Sequence, residues 1–134
     1  MAVNYIAAAK TNRLRVVADA IDAKTFVVGS GAGSAGKLVI GTASLSGATG
    51  VLSTHTLSNP CGTASGTALT FTLPSAVNAS ATGTAALASI RTSADVDIVT
   101  GLVCGVGTGE VQLNSLSITS GQSVNITAMA INHP

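Results

Sequence analysis

The chain has 134 residues, of which 8% are charged, and a formal net charge of +1. That length holds one domain with one modest core, and soluble domains ordinarily carry about 25% charge, so a highly charged disordered chain and a basic nucleic-acid-binding field are both excluded. Aromatics are equally scarce, with no Trp, one Tyr and two Phe, which argues against aromatic-walled pockets, sugar-binding faces and base-stacking platforms and leaves Val, Ile, Leu and Ala to build the core.

A surface with so few charges has little to oppose association. The expectation is that other chains cover much of it. The alternative is a surface wetted by Ser, Thr and Asn alone.

The opening stretch, MAVNYIAAAKTNRLRVVADAID, is not expected to be a signal peptide. Its apolar run is short, and Lys10, Arg13 and Arg15 follow that run instead of preceding it. No run reaches about 18 apolar residues, so no transmembrane helix is expected.

Residues 4–22 are the one good helix candidate. Asn4 is placed to cap the N-terminus, and Ala7, Ala8 and Ala9 favour the helix. Leu14, Val17 and Ile21 recur at helical spacing and make a narrow apolar stripe. The stripe would meet either a partner or the chain's own sandwich. Residues 1–24 are therefore read as a helix or arm, 25–36 as a glycine-rich linker, and 37–134 as a β-sandwich domain. The linker contains GSGAGSAG at Gly29–Gly36, which has almost no side-chain volume.

From Lys37 onward the chain reads as short β-prone runs: Lys37–Gly41, Val51–Leu57, Ala68–Leu73, Thr84–Thr92, Asp97–Cys104, Glu110–Leu113, Leu116–Thr119 and Ser123–Ile131. Turn signals separate them at Asn59-Pro60, Pro74-Ser75, Gly107–Gly109 and Ser120-Gly121. In Leu69-Thr70-Phe71-Thr72-Leu73 the apolar residues share one face and the threonines the other. Val124, Ile126 and Ala128 alternate with Asn125 and Thr127 in the same way. Such patterns predict a mainly β fold, an antiparallel β-sandwich or jelly roll with one short N-terminal helix.

Four motifs bear on chemistry. Gly31-Ala32-Gly33-Ser34-Ala35-Gly36-Lys37 has P-loop spacing, but Leu38 stands where a Mg²⁺-binding hydroxyl is needed and a strand follows where a helix is needed. His55 is read as a solvent-facing residue on a strand. A small hydrolase using His55, Asp97 and a nearby hydroxyl is the rival from another class. Asp95, Asp97 and Glu110 are too few and too irregular for a calcium loop. Cys61 and Cys104 lack metal-site spacing and are expected to be free, buried thiols. No catalytic residue, cofactor or metal is expected.

Taken whole, the sequence resembles small virion structural proteins of tailed bacteriophages and prophages. The resemblance rests on Asn4-Tyr5-Ile6-Ala7-Ala8-Ala9-Lys10-Thr11-x-Arg13-Leu14, Asp19-Ala20-Ile21-Asp22, the glycine stretch and Lys37-Leu38-Val39-Ile40-Gly41-Thr42-Ala43. It continues through Leu57-Ser58-Asn59-Pro60-Cys61-Gly62, Arg91, Asp97-Ile98-Val99-Thr100-Gly101-Leu102 and Ser117-Ile118-Thr119-Ser120-Gly121-Gln122. The chain looks most like the capsid decoration, or cement, proteins. That resemblance implies a non-enzymatic homodimer or homotrimer, made in a bacterial host cytoplasm. It would sit on the capsid exterior, bind the major capsid protein and stabilise the mature head, with no nucleic-acid or membrane partner. A tail or head–tail structural component is the alternative. Leu14, Val17 and Ile21 are the candidate partner-contact residues.

Overall fold

The computed structural model describes residues 6–23 and 33–132. Asn4, residues 25–32 of the linker and residues 133–134 lie outside them. Helix α1 (Ala7–Ile21) forms where the alanines concentrate, with Ile6 at the N-cap position and no side-chain cap bond. The cap expected at Asn4 is thus corrected to Ile6. At the other end the Asp22 N–H bonds the Ala18 carbonyl, and Ala23 turns left-handed at φ 54, which ends the helix. Among the described residues no helix is long and apolar enough to cross a membrane.

The rest of the fold is β. Eight strands join in one curled sheet: β1 (Lys37–Ser46), β2 (Thr49–Thr56), β3 (Gly62–Ser65), β4 (Ala68–Phe71), β7 (Leu87–Arg91), β8 (Asp97–Gly105), β9 (Val111–Leu113) and β12 (Ile126–Asn132). Their spatial order is β2-β1-β7-β8-β9-β12-β4-β3. Two short ribbons complete the sandwich: β5 (Val77–Asn78) with β11 (Ser123–Val124), and β6 (Gly83–Thr84) with β10 (Ser117–Ile118). They bring Val124 and Ile118 to the same core that Leu38, Ile40, Ile90 and Val111 fill from the large sheet. Each such Leu, Ile or Val contributes about 1.5–3 kcal/mol on burial.

The pairings are antiparallel with one exception. β8 and β9 run parallel, with Cys104 opposite Val111 and Gly105 opposite Gln112. It makes the otherwise antiparallel sheet of the expected sandwich a mixed one, and glycine makes it possible. Gly107 and Gly109 hold positive φ values of 74 and 89, and a Cβ on Gly105 would meet the Thr108 carbonyl oxygen at 2.2 Å. The chain doubles back within a few residues and rejoins in the same direction.

Helix α1 packs against β3 and β4. Leu14 and Ile21 are 3% and 0% exposed, in one core with Cys61, Leu69 and Phe71, and Val17 packs at its margin. The apolar stripe is therefore covered by the chain's own sandwich, the alternative that the spacing left open.

Candidate functional site

Charged groups of the sandwich concentrate at one end of the sheet. Lys37 opens β1, Arg91 closes β7, and Asp97 opens β8, so register places them together: Lys37 lies opposite Arg91, and Arg91 opposite Asp97. Asp95 sits in the turn between β7 and β8 and takes the Lys37 ammonium at 3.0 Å. Arg91 is 7% exposed. Its Nε donates to Asp97 Oδ1 at 2.7 Å, and its NH2 group donates to the Gly47 carbonyl at 2.8 Å. Gly47 lies in the turn between β1 and β2, so one guanidinium ties that hairpin to the β7–β8 hairpin.

This arrangement occupies two of the sequence motifs. Lys37, the terminal residue of the P-loop spacing, is engaged with Asp95 and begins a strand. Gly36 is packed so tightly that a Cβ there would meet Ile21 Cγ2 at 2.7 Å and the Arg91 carbonyl oxygen at 2.8 Å; the first residues of the motif lie outside the described region. Asp95 and Asp97 each face a cation of the chain itself, and among the described residues no cluster of His, Cys, Asp or Glu could hold a metal ion.

His55 corrects the sequence reading. It is 0% exposed, not solvent-facing. It lies opposite Leu38, and Ser53 opposite Ile40, so both side chains point to the core face of β2. Ser53 Oγ lies 3.0 Å from His55 Nε2, and the Ser75 carbonyl oxygen lies 3.1 Å from His55 Nδ1. A carbonyl only accepts, so Nδ1 carries the proton and the Ser53 hydroxyl donates to Nε2. Burial pulls the imidazole below its ordinary pKa, and the bond to Ser75 opposes that only in part. Asp97, the carboxylate the hydrolase reading would use, pairs with Arg91 three strands away in the sheet.

The outer face of β9, β12, β4 and β3 has the opposite character. Its cross-strand rows read Ser65–Ala68–Asn132, Thr63–Thr70–Ala130 and Ala128–Gln112. All are small or neutral. An open groove of about 380 Å³ lies over its β9–β12 part, lined from Gly109, Glu110 and Gln112 and from residues 128–130 and Asn132 of β12. Glu110 is the one charge on this face among the described residues, and its Oε2 accepts the Val103 N–H at 3.0 Å. Val103 and Val106, half or more exposed, lie on the neighbouring end of β8 and the turn after it.

Neither cysteine forms a disulfide among the described residues, and both are buried. Burial, reinforced by the Glu110 carboxylate, pushes the Cys104 thiol up to about 11. The Arg91 clamp was missed at the sequence level. Its signal was an Arg ending an apolar strand with Asp97 six residues on, across a turn. No protein-family model, curated protein or solved structure was found to match the chain.

Proposed function

We propose that the chain is a structural protein of a virion, of the capsid-decoration class, which self-associates and binds a lattice of major capsid protein. The observation that carries this reading is the β9–β12–β4–β3 face, on which Glu110 is the one charge among the described residues. Its side chains are short, so little side-chain entropy is lost when a partner settles on it. With so few charges, the face offers little like-charge repulsion to identical copies packing around a symmetry axis. The resemblance to phage virion proteins supplies the identity of the lattice. Binding only the assembled shell would stabilise it by mass action, a gain multiplied over every site.

The test uses expanded, undecorated shells assembled from the cognate major capsid protein. The expected result is co-sedimentation of the purified protein with the shells and a higher disruption temperature. Failure of both would end the decoration reading and turn attention to a tail or head–tail role. Light scattering of the protein alone is expected to give a dimer or trimer; a 13.0 kDa species at every micromolar concentration would remove the self-association step.

A further inference from the structure

The seam between β2 and residues 75–80 is built around His55. Residues 72–80 leave β4, pass along β2 and contribute β5 to the β5–β11 ribbon. The crossing is held to β2 at both ends. At one end His55 Nδ1 donates to the Ser75 carbonyl at 3.1 Å. At the other the Ser80 N–H and hydroxyl both reach the Leu52 carbonyl, at 2.8 and 3.3 Å. Beyond β2 the same segment belongs to the other layer: Val77 and Asn78 pair with Val124 and Ser123, and the Ala79 N–H bonds the Gln122 carbonyl at 2.7 Å. β2 is an edge strand of the large sheet, so this crossing is what covers its free margin.

We propose that this seam is an acid-labile latch: neutral His55 holds residues 75–80 on the β2 edge, and a protonated His55 releases them.

The surroundings explain why. An imidazolium at this position has no carboxylate to face. β2, β5, β6 and residues 72–80 carry no charged side chain. β1 contributes Lys37, which lies opposite Thr56, the next register position on the other face, and is bound to Asp95. The nearest helix end contributes Asp22, whose Oδ2 accepts the Cys61 N–H at 3.1 Å. A buried charge without a counter-ion is expelled toward water, and the route to water from His55 is separation of the 75–80 segment. Once the seam parts, the Leu52 carbonyl and its neighbours become an unpaired strand edge.

The pH dependence follows from the protonation states. Above about pH 6.5 the imidazole is neutral whether the seam is open or closed, and the latch has its full strength. Below that, only the open form takes up the proton, so the open population rises about tenfold per pH unit until the closed form's own pKa is reached. This inference concerns the isolated protein and stands or falls apart from the decoration reading.

Hydrogen exchange read by mass spectrometry tests it, with rates corrected for intrinsic pH dependence. Peptides covering 51–57 and 72–80 are expected to lose protection by about fivefold between pH 6.5 and 5.5 while those of β7 and β8 keep theirs. In His55→Gln, whose amide serves both partners without titrating, protection should be the same at both pH values. Equal protection of the wild-type seam at both pH values, or the same acid opening in His55→Gln, overturns the proposal. If His55→Gln does not fold, NMR of the wild-type imidazole decides instead. Titration at an ordinary histidine pKa with the seam still protected rejects the latch; a neutral Nδ1–H tautomer persisting until the seam opens supports it.

Discussion

At the Lys37 end of the sheet, charged side chains are consumed within the chain. Lys37 meets Asp95, and Arg91 meets Asp97 and the Gly47 carbonyl. On the β9–β12–β4–β3 face, Thr, Ser, Ala, Asn and Gln stand in rows with only Glu110 among them. A low charged fraction can be spread thinly or gathered in one place. Within the sandwich it is gathered: Lys37, Arg91, Asp95 and Asp97 lock one end by ionic contacts, and a broad area is left smooth. The lesson is about allocation: polar atoms that fix the fold lie apart from the smooth face proposed to meet partners.

The largest effect should come from breaking the charged end. Arg91→Ala removes the bond to Asp97 and leaves the Gly47 carbonyl without its donor. The expected loss is about 2–3 kcal/mol, below the range for a fully buried pair because Asp97 is partly exposed. Urea denaturation measures it. A loss under about 0.5 kcal/mol would mean that packing alone holds the β1–β2 hairpin.

The smooth face is probed by adding a charge. Thr70→Arg sits mid-row, between Thr63 and Ala130. Folding stability should change by no more than about 0.5 kcal/mol, since the site is exposed. Self-association should weaken by about tenfold or more, because copies brought face to face would juxtapose like charges. Sedimentation at several concentrations reads it, and an unchanged oligomer would place the contact on another surface.

The thiols report on the boundary between the two regions. Cys104, raised to about 11 and buried, should stay unreactive toward a thiol reagent at pH 8 in the folded protein, as should Cys61, and both should react on unfolding. Rapid labelling before unfolding would show the core opening near Glu110.

The smallest effect is expected at Lys37→Ala. Its pair with Asp95 is exposed, so the cost should be about 0–1 kcal/mol and should shrink in salt. Calorimetry with ATP should show no heat for either protein; micromolar binding lost in the variant would restore the phosphate-loop reading.

Much of the fold was legible in alternation. Leu69 and Phe71 are buried and Thr70 and Thr72 exposed, as their spacing predicts; Leu73 breaks the pattern because β4 stops at Phe71. β3 was not legible. Gly62-Thr63-Ala64-Ser65 has no large side chain to mark a face, and it becomes a strand through pairing with β4. The expected strand Ser123–Ile131 divides at Asn125, and a register shift after Ile126 turns Ala128 to the outer groove, which no local pattern announces. His55 was misread because serine and threonine flank it on both faces, leaving the phase of the strand undetermined by polarity alone. The smooth outer face was hidden for a related reason: its rows come from strands far apart in sequence.

The position of β12 carries a consequence for how the chain is made. β12 lies between β9 and β4 and, among the described residues, is the bridge between the two parts of the large sheet. Its partners on β4 come about 60 residues earlier, Thr70 opposite Ala130 and Leu69 opposite Ile131. A ribosome that has released residues only as far as Asn125 has supplied β2-β1-β7-β8-β9 and the β3–β4 hairpin as separate pieces. Each has an open margin, and the Met129 site in the core is empty. Such long-range closure is slow relative to hairpin formation. The smooth rows Thr63–Thr70–Ala130 and Ala128–Gln112 do not exist until it happens. Because the face forms only once β12 has emerged, nascent copies that stop short of it lack the smooth surface proposed for association.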